Sequence, residues 1–281
     1  MDKIILSIQD ISCVGQCSLT VALPIISACG IETAILPGAL LSNHTASGYT
    51  GFTFMDLTNE MPKILERWEK ENIRFDAFYT GYVTKQQIPH ILEIMKRVAK
   101  PNCLRIIDPA MADNGVLYTG FDENFPKEMA KLCKGADYIL PNLTEASFLL
   151  GIPYVGKDYD KEYIEKISRD LSKFGAKTVV ITGISFEKGK IGASVYHSEN
   201  DSFEYYFNEW INVNFHGTGD AFSSVFTGAI LNGKTAIESV KIAADFVVES
   251  IKLTLNDIKN HWYGVKFEKA LPGLMKALGK M

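Results

Sequence analysis

Thr178-Val179-Val180-Ile181-Thr182-Gly183 is an apolar, largely β-branched run that ends in a hydroxyl and a glycine, with no polar residue alternating through it. A strand with one face in water alternates, whereas a strand covered on both faces does not; runs of this kind belong to parallel sheets sandwiched between helices. Ile106-Ile107-Asp108-Pro109 has the same character. Outward from these two, the pattern predicts strands over residues 4–9, 33–37, 77–82, 104–108, 138–141 and 178–182. Helical periodicity fills the intervals near 18–29, 58–71, 85–99, 123–134 and 160–174. Strand alternating with helix predicts an α/β fold, a mostly parallel sheet with helices on both faces. Beyond Gly183 the pattern changes: 191–197 and 203–208, separated by the turn-like Ser198-Glu199-Asn200-Asp201, predict an antiparallel pair at one edge. The last third reads as helix near 219–231, 234–256 and 266–278. With no internal repeat, low-complexity tract or linker, a single domain over residues 1–281 is expected.

Composition narrows the function. The 281 residues are 47% hydrophobic and 22% charged with a net charge of −4, and no long run of one sign occurs. The basic stripe of a nucleic-acid binder is missing. An anion such as ATP remains compatible, since bound cations and backbone amides hold phosphate without a basic surface. The opening MDKIILSIQD lacks the apolar core of a signal peptide, and no apolar run approaches the about 20 residues that span a bilayer. A cytoplasmic protein with no membrane partner is expected. Cys13, Cys17, Cys29, Cys103 and Cys133 are odd in number and scattered, and complete no zinc pattern, so reduced and mostly buried thiols are expected.

In an open parallel sheet, ligands bind beyond the carboxyl ends of the strands. The notable polar and glycine residues fall there: Gln9-Asp10, Gly81-Tyr82, Asp108, Asn142 and Thr182-Gly183 each close or follow a predicted strand. A turn or a helix dipole explains any one of them; five on one rim favour a site. The sharpest local signal is Phe215-His216-Gly217-Thr218-Gly219-Asp220-Ala221-Phe222, which runs into a helix whose buried face is marked by Phe222, Val225, Phe226, Ala229 and Ile230. Glycines ahead of a helix expose its first N–H groups, and the positive end of the helix dipole suits a phosphate or a developing oxyanion. Asp220 is either a favourable first-turn carboxylate or a base that takes a proton from an attacking alcohol. No G-x-x-x-x-G-K-[ST] loop, G-x-G-x-x-G turn after the first strand, H-E-x-x-H helix or G-x-S-x-G elbow competes with this reading.

These residues resemble a known family. The Gly217-Thr218-Gly219-Asp220 turn looks like the anion hole and aspartate of the ribokinase-like superfamily. Ser42-Asn43-His44-Thr45, Gly81-Tyr82, Asp108-Pro109-Ala110-Met111 and Pro141-Asn142-Leu143-Thr144-Glu145 are similar, in family order, to the S-N-H-T, G-Y, D-P-V-M and P-N-x-x-E segments of pyridoxal kinases. The resemblance spans about residues 4–230 and implies the ribokinase-like three-layer fold. It implies Asp220 as the general base on a hydroxymethyl group, with the Gly217, Thr218 and Gly219 amides stabilising the transferring phosphoryl group. It implies Asp108 and Glu145 as organisers of Mg²⁺, partly through water, with Asn142 near the ATP phosphates and Thr182-Gly183 beside the nucleotide. On the substrate side it implies Thr45 hydrogen-bonding a pyridine, Tyr82 packing on its ring, and Ser42 and His44 beside that pocket. Each position also has a plain structural reading: Asp108 as a turn cap before Pro109, Asn142 and Glu145 as the start of a helix, Thr45 and His44 as loop residues, Tyr82 as core and Thr182 as a strand end.

One departure bears on specificity. Family members often carry serine after the first-strand glutamine; here Asp10 stands in that place with Ser12 two residues on, and either can meet the ring substituents. Residues 113–118, Asp-Asn-Gly-Val-Leu-Tyr, read as a flexible cover over the nucleotide or as a surface turn. The expectation is an ATP- and Mg²⁺-dependent kinase of a B6 vitamer, a homodimer as family members commonly are; whether K⁺ assists, and which vitamer is preferred, stay open. Hydroxymethylpyrimidine kinase on the same fold is the nearest alternative, disfavoured because that branch often has cysteine where Asp220 lies. A sugar kinase lacks its N-terminal glycine-rich loop here, and a non-catalytic vitamer binder is argued against by the intact Asp220, Asp108 and Glu145.

Overall fold

The structure, a computed structural model, describes residues 3–45 and 48–281. Its first half runs β1 (Ile4–Ser12), α1 (Leu19–Ala28), β2 (Glu32–Leu41), β3 (Phe54–Asp56), α2 (Met61–Lys70), β4 (Phe75–Thr80), α3 (Ile88–Arg97), β5 (Ala99–Ile107), β6 (Ala112–Asp113), β7 (Val116–Leu117) and α4 (Phe125–Cys133). The second half runs β8 (Tyr138–Ile139), α5 (Leu143–Leu150), α6 (Lys161–Ser172), β9 (Thr178–Ile184), β10 (Lys190–His197), β11 (Ser202–Glu209), α7 (Thr218–Leu231), α8 (Ala236–Leu255) and α9 (Leu271–Ala277).

Nine strands form one sheet in the order β11-β10-β9-β8-β5-β4-β1-β2-β3. From β2 through β1, β4, β5 and β8 to β9 every neighbour is parallel, so their carboxyl ends share one edge. β10 and β11 form the expected antiparallel edge. The opposite edge is antiparallel as well, because β3 pairs with β2 at Ala39–Leu41. β3 lies outside the expected strands: its three residues are all exposed and show no alternation. The strand expected over 138–141 pairs only at Tyr138 and Ile139, because Pro141 has no N–H and Asn142 already turns into α5.

The central strands are apolar on both faces for a visible reason. Leu6, Ile8, Val179 and Ile181 enter one core with α2 to α6, while Ile5, Ile106 and Val180 enter a second core with α1, α7, α8 and α9. This is the three-layer ribokinase-like arrangement. β1 lies between β2 and β4, so the chain builds outward from β1 to one side and then returns to build on the other. A reversal of this kind opens a crevice at the carboxyl ends of the strands that flank it. Among the described residues no helix is long and apolar enough to cross a membrane. All five cysteines are free; Cys29 and Cys133 are buried, Cys17 and Cys103 half-buried and Cys13 exposed, so burial is less general than expected.

Candidate active site

Helix α7 starts at a turn that only glycine fits. Gly217 has φ 75°, and a Cβ there would lie 1.6 Å from the Gln16 carbonyl oxygen. The chain therefore passes tightly under the β1–α1 loop, and among the described residues none accepts a hydrogen bond from the N–H of Gly217, Thr218 or Gly219. A Cβ on Gly219 would meet nothing, so the helix N-terminus opens outward. In its first turn Asp220 is half-buried, and its Oδ2 accepts from the Ser18 N–H at 3.0 Å. Burial, with the nearby charge of Asp10, pushes the Asp220 carboxyl up to about 6, against the lowering effect of the Ser18 N–H. Ser18 holds φ 55°, an uncommon conformation for a residue with a side chain. Backbone strain of this kind gathers where surroundings over-determine a site.

Asp108, just past β5, is buried, and its Oδ2 accepts from the Ser223 hydroxyl at 2.7 Å. Ser223 lies three residues beyond Asp220, hence on the same face of α7. The helix thus presents a carboxylate and a hydroxyl to the ends of β1 and β5. Glu145 is buried in the first turn of α5 and forms a reciprocal cap with Asn142: the Glu145 N–H donates to Asn142 Oδ1 at 2.9 Å and the Asn142 N–H to Glu145 Oε2 at 2.8 Å. Glu145 Oε1 accepts from the Met111 N–H at 3.1 Å, and the Asn142 amide donates to the Ala112 carbonyl at 2.9 Å. The helix-start reading of Asn142 and Glu145 is what the cap shows, and the same pair also fastens the segment that follows Asp108. Burial pushes the Asp108 and Glu145 carboxyls up, helped by the charge of Asp220 on Asp108 and that of Asp108 on Glu145.

The donor set suits a hard cation, since Asp108 and Glu145 offer only carboxylate oxygen. Among the described residues no three His, Cys, Asp or Glu side chains stand together to hold a metal on their own. An ion that completes its shell with water and phosphate oxygens, as Mg²⁺ does, fits two carboxylates better than a metal that needs a full protein cage.

Beyond the ends of β2 and β4, the two strands that flank β1, Thr45 and Tyr82 line a common cleft of about 320 Å³ with Phe52, Phe54, Thr84 and Phe121 among its walls. The Tyr82 ring stacks on Phe121 at 5.1 Å. Asp10 and Ser12 are buried at the end of β1, the Ser12 hydroxyl donating to Asp10 Oδ2 at 3.1 Å. Neither Asp10 nor Asp220 lines the cleft, yet the Asp10 charge acts on both Asp220 and Tyr82. Burial raises the Asp10 carboxyl, and the Ser18 and Ser12 side chains oppose it. Ser42 spends its hydroxyl on the loop itself, donating to Asn43 Oδ1 at 2.8 Å and accepting from the Thr53 N–H at 2.9 Å. His44 is buried with Nε2 2.9 Å from the Tyr263 carbonyl. Thr182 and Gly183 lie just before the last residue of β9, at the far side of the rim, where the Thr182 N–H donates to Pro141 O at 3.0 Å.

Residues 113–118 are no loose cover. They form a tight hairpin, β6 paired with β7, whose turn residues Asn114 (φ 50°) and Gly115 (φ 79°) both take the left-handed region. The Gly115 N–H donates to the Thr144 hydroxyl at 3.1 Å, which anchors the hairpin on α5. Sequence reasoning missed Ser18 and Ser223. Ser223 had a signal, a polar residue one turn after Asp220 on an apolar helix face; Ser18 had none, because its partner lies 202 positions away.

Known proteins resemble this chain over most of its length. A family model described as phosphomethylpyrimidine kinase matches residues 59–264. The pyridoxal kinase of Dictyostelium discoideum is 29% identical over 260 residues, covering 85% of this chain and 82% of its own. Among solved structures, a Bacteroides thetaiotaomicron protein assigned as a phosphomethylpyrimidine kinase, in a crystal form with pyridoxal, matches with a TM-score of 0.92 at 38% identity over 98% of this chain and 96% of its own. Pyridoxal kinase from Lactobacillus plantarum matches with a TM-score of 0.89 at 28% identity over 98% and 97%.

Proposed function

The chain belongs to the phosphomethylpyrimidine kinase family, and from that premise we propose that it transfers the γ-phosphoryl group of ATP to the 5′-hydroxymethyl group of a B6 vitamer: pyridoxal, pyridoxine or pyridoxamine. The observation that carries the reading is the Gly217–Asp220 turn, whose outward amides sit beside a half-buried carboxylate on the edge that also holds Asp108. The pyridoxal in the crystal form of the 38%-identical Bacteroides protein supports the vitamer side.

In this reading the acceptor ring lies against Thr45 and Tyr82, with Asp10 and Ser12 toward its substituents. Asp220 takes the hydroxymethyl proton as the oxygen attacks the γ-phosphorus, and the bond from phosphorus to the β-phosphate oxygen breaks, releasing ADP. A carboxyl raised to about 6 is ionised at neutral pH yet far more basic than a surface aspartate. The amides of Gly217, Thr218 and Gly219 receive the charge on the transferring group, and their fixed position removes the need for reorganisation during the step. Asp108 and Glu145 hold Mg²⁺, which neutralises phosphate charge when bound. Asn142 and Thr182-Gly183 border the nucleotide.

Release of ADP, coupled to an optical readout, tests this across pyridoxal, pyridoxine, pyridoxamine, hydroxymethylpyrimidine and ribose, with Mg²⁺ and K⁺ varied. Turnover that depends on a vitamer and Mg²⁺ is expected. Turnover confined to hydroxymethylpyrimidine would move the chain to the thiamine branch, a reading favoured by the matching family's description. Vitamer binding without turnover would sink the kinase reading. The same proposal carries one kinase domain over residues 1–281 and a cytoplasmic homodimer, the latter checked by sedimentation equilibrium.

A further inference from the structure

His44 stands where four segments of the chain meet. It is 3% exposed, and its Nε2 lies 2.9 Å from the Tyr263 carbonyl. A carbonyl only accepts, so Nε2 carries the proton and the ring is held as a donor. Burial lowers the pKa of this imidazole, in keeping with a neutral ring. The His44 N–H donates to Val14 O at 3.2 Å, and the Val14 N–H to Ser42 O at 3.2 Å, which ties the substrate loop to the β1–α1 loop. A Cβ on Gly15 would lie 2.3 Å from His44 Cδ2, so that loop passes directly over the ring. A few residues on, Ser18 of the same loop donates to Asp220. On its other flank the ring is 5.2 Å from that of His216, the residue before Gly217.

The segment that supplies the Tyr263 carbonyl is itself fastened. His261 Nδ1 and Gly264 O are 3.0 Å apart, and the Lys266 N–H donates to Thr254 Oγ1 at 2.8 Å. Trp262 packs on Tyr49 of the substrate loop at 4.8 Å between ring centroids. Nε2 is thus spent on a carbonyl, yet the other three segments around the ring border the reaction: the loop with Thr45, the loop that holds Asp220, and the turn that carries it. A side chain kept only to fill space needs no fixed donor.

We propose that His44 is a positioning residue that fastens the substrate loop to the 261–264 segment and to the Gly217–Asp220 turn, so that acceptor and base are held in one register. The kinetic consequence rests on the vitamer-kinase reading; the mechanical one does not. Gln at this position keeps a neutral donor near the place of Nε2, whereas Phe keeps the ring and loses the donor. His44→Phe is expected to raise the pyridoxal KM at least about tenfold and lower kcat, with the ATP KM within about twofold of wild type, and His44→Gln to recover most of that loss. Trp262→Ala loosens the same clasp from the other side, so the double variant H44F/W262A should exceed the worse single by no more than about twofold, the mark of residues acting as one unit. Hydrogen exchange gives a substrate-free readout: in His44→Phe, amides of both 42–53 and 215–220 should exchange faster. Faster exchange confined to the neighbours of His44, equal damage in the Gln and Phe variants, parallel rises in both KM values, or multiplicative effects in the double variant would each overturn the proposal. If wild type turns over no vitamer, the kinase reading fails on that result alone, and exchange still decides the role of His44.

Discussion

Asp220 meets opposing demands: the fold would rather hold it protonated, whereas a base must be ionised. Because burial raises its pKa to about 6, kcat/KM should climb through that pH and level off above it, measured at saturating Mg²⁺. A rate flat from pH 5 to 8 would remove Asp220 from the proton transfer. Asp220→Asn should lower kcat by at least about 10²-fold while changing ATP affinity little. Its melting temperature at pH 8 should equal or exceed wild type, since the variant keeps an acceptor for the Ser18 N–H and no longer buries a charge. Ser223→Ala removes the hydroxyl that holds Asp108 down, so the Mg²⁺ concentration for half-maximal rate should rise about three- to tenfold at pH 7 and by less at pH 8.5, where Asp108 ionises anyway. Asp220 and Asp108 were legible in the sequence because each sits at a fixed local landmark, a glycine turn before a helix and the end of an apolar strand. Ser18 was not, because its role exists only once α7 lies under the β1–α1 loop.

At the level of elements, the anion turn depends on how closely two loops approach. Gly217→Ala sets a Cβ against the Gln16 carbonyl at a positive φ, and that carbonyl lies two residues before Ser18. Relief requires the loop to move, so the variant should lose about 2 kcal/mol or more in urea unfolding and lose kcat along with it. The substrate loop gives a contrasting case. Thr45 is exposed on the cleft wall, so Thr45→Ala should leave stability within about 0.5 kcal/mol of wild type and raise the pyridoxal KM far more than the ATP KM. Equal effects on both would take Thr45 out of the acceptor's site. The parallel strands were legible because burial on both faces writes itself into composition. The β6–β7 hairpin was visible only as Asn114-Gly115, a strong turn signal whose flanking strands are too short to show a period. β3 was invisible because its pairing with β2 is a matter of backbone alone.

Across the whole molecule the same acids set how stability varies with pH. Exposed or half-buried carboxyls beside cations or helix starts, such as Asp56, Asp170 and Glu238, are held below their usual range. Their contribution is present above the unfolded pKa and lost only as pH falls through the folded one, and screening makes each small. The buried and half-buried carboxyls of the site act with the opposite sign. Asp10, Asp108, Glu145 and Asp220 are all pushed up, so in acid the native state keeps protons that the unfolded chain has shed. What they contribute is fully present below the unfolded pKa and drains away as pH rises through the folded values, near 6 for Asp220. His44, lowered by burial, gains as it deprotonates, but it is one group against four. The urea midpoint should therefore be higher at pH 5.5 than at pH 8, the reverse of a protein held together by surface ion pairs. Mg²⁺ with ATP should recover much of the loss at pH 8, where Asp108 carries the charge a cation needs, and little at pH 5.5, where it does not. The double variant D108N/D220N should flatten the profile. A midpoint that rises from pH 5.5 to 8 would mean these carboxyls are better solvated than their burial implies, and with it the account of why Asp220 is a strong base would fail.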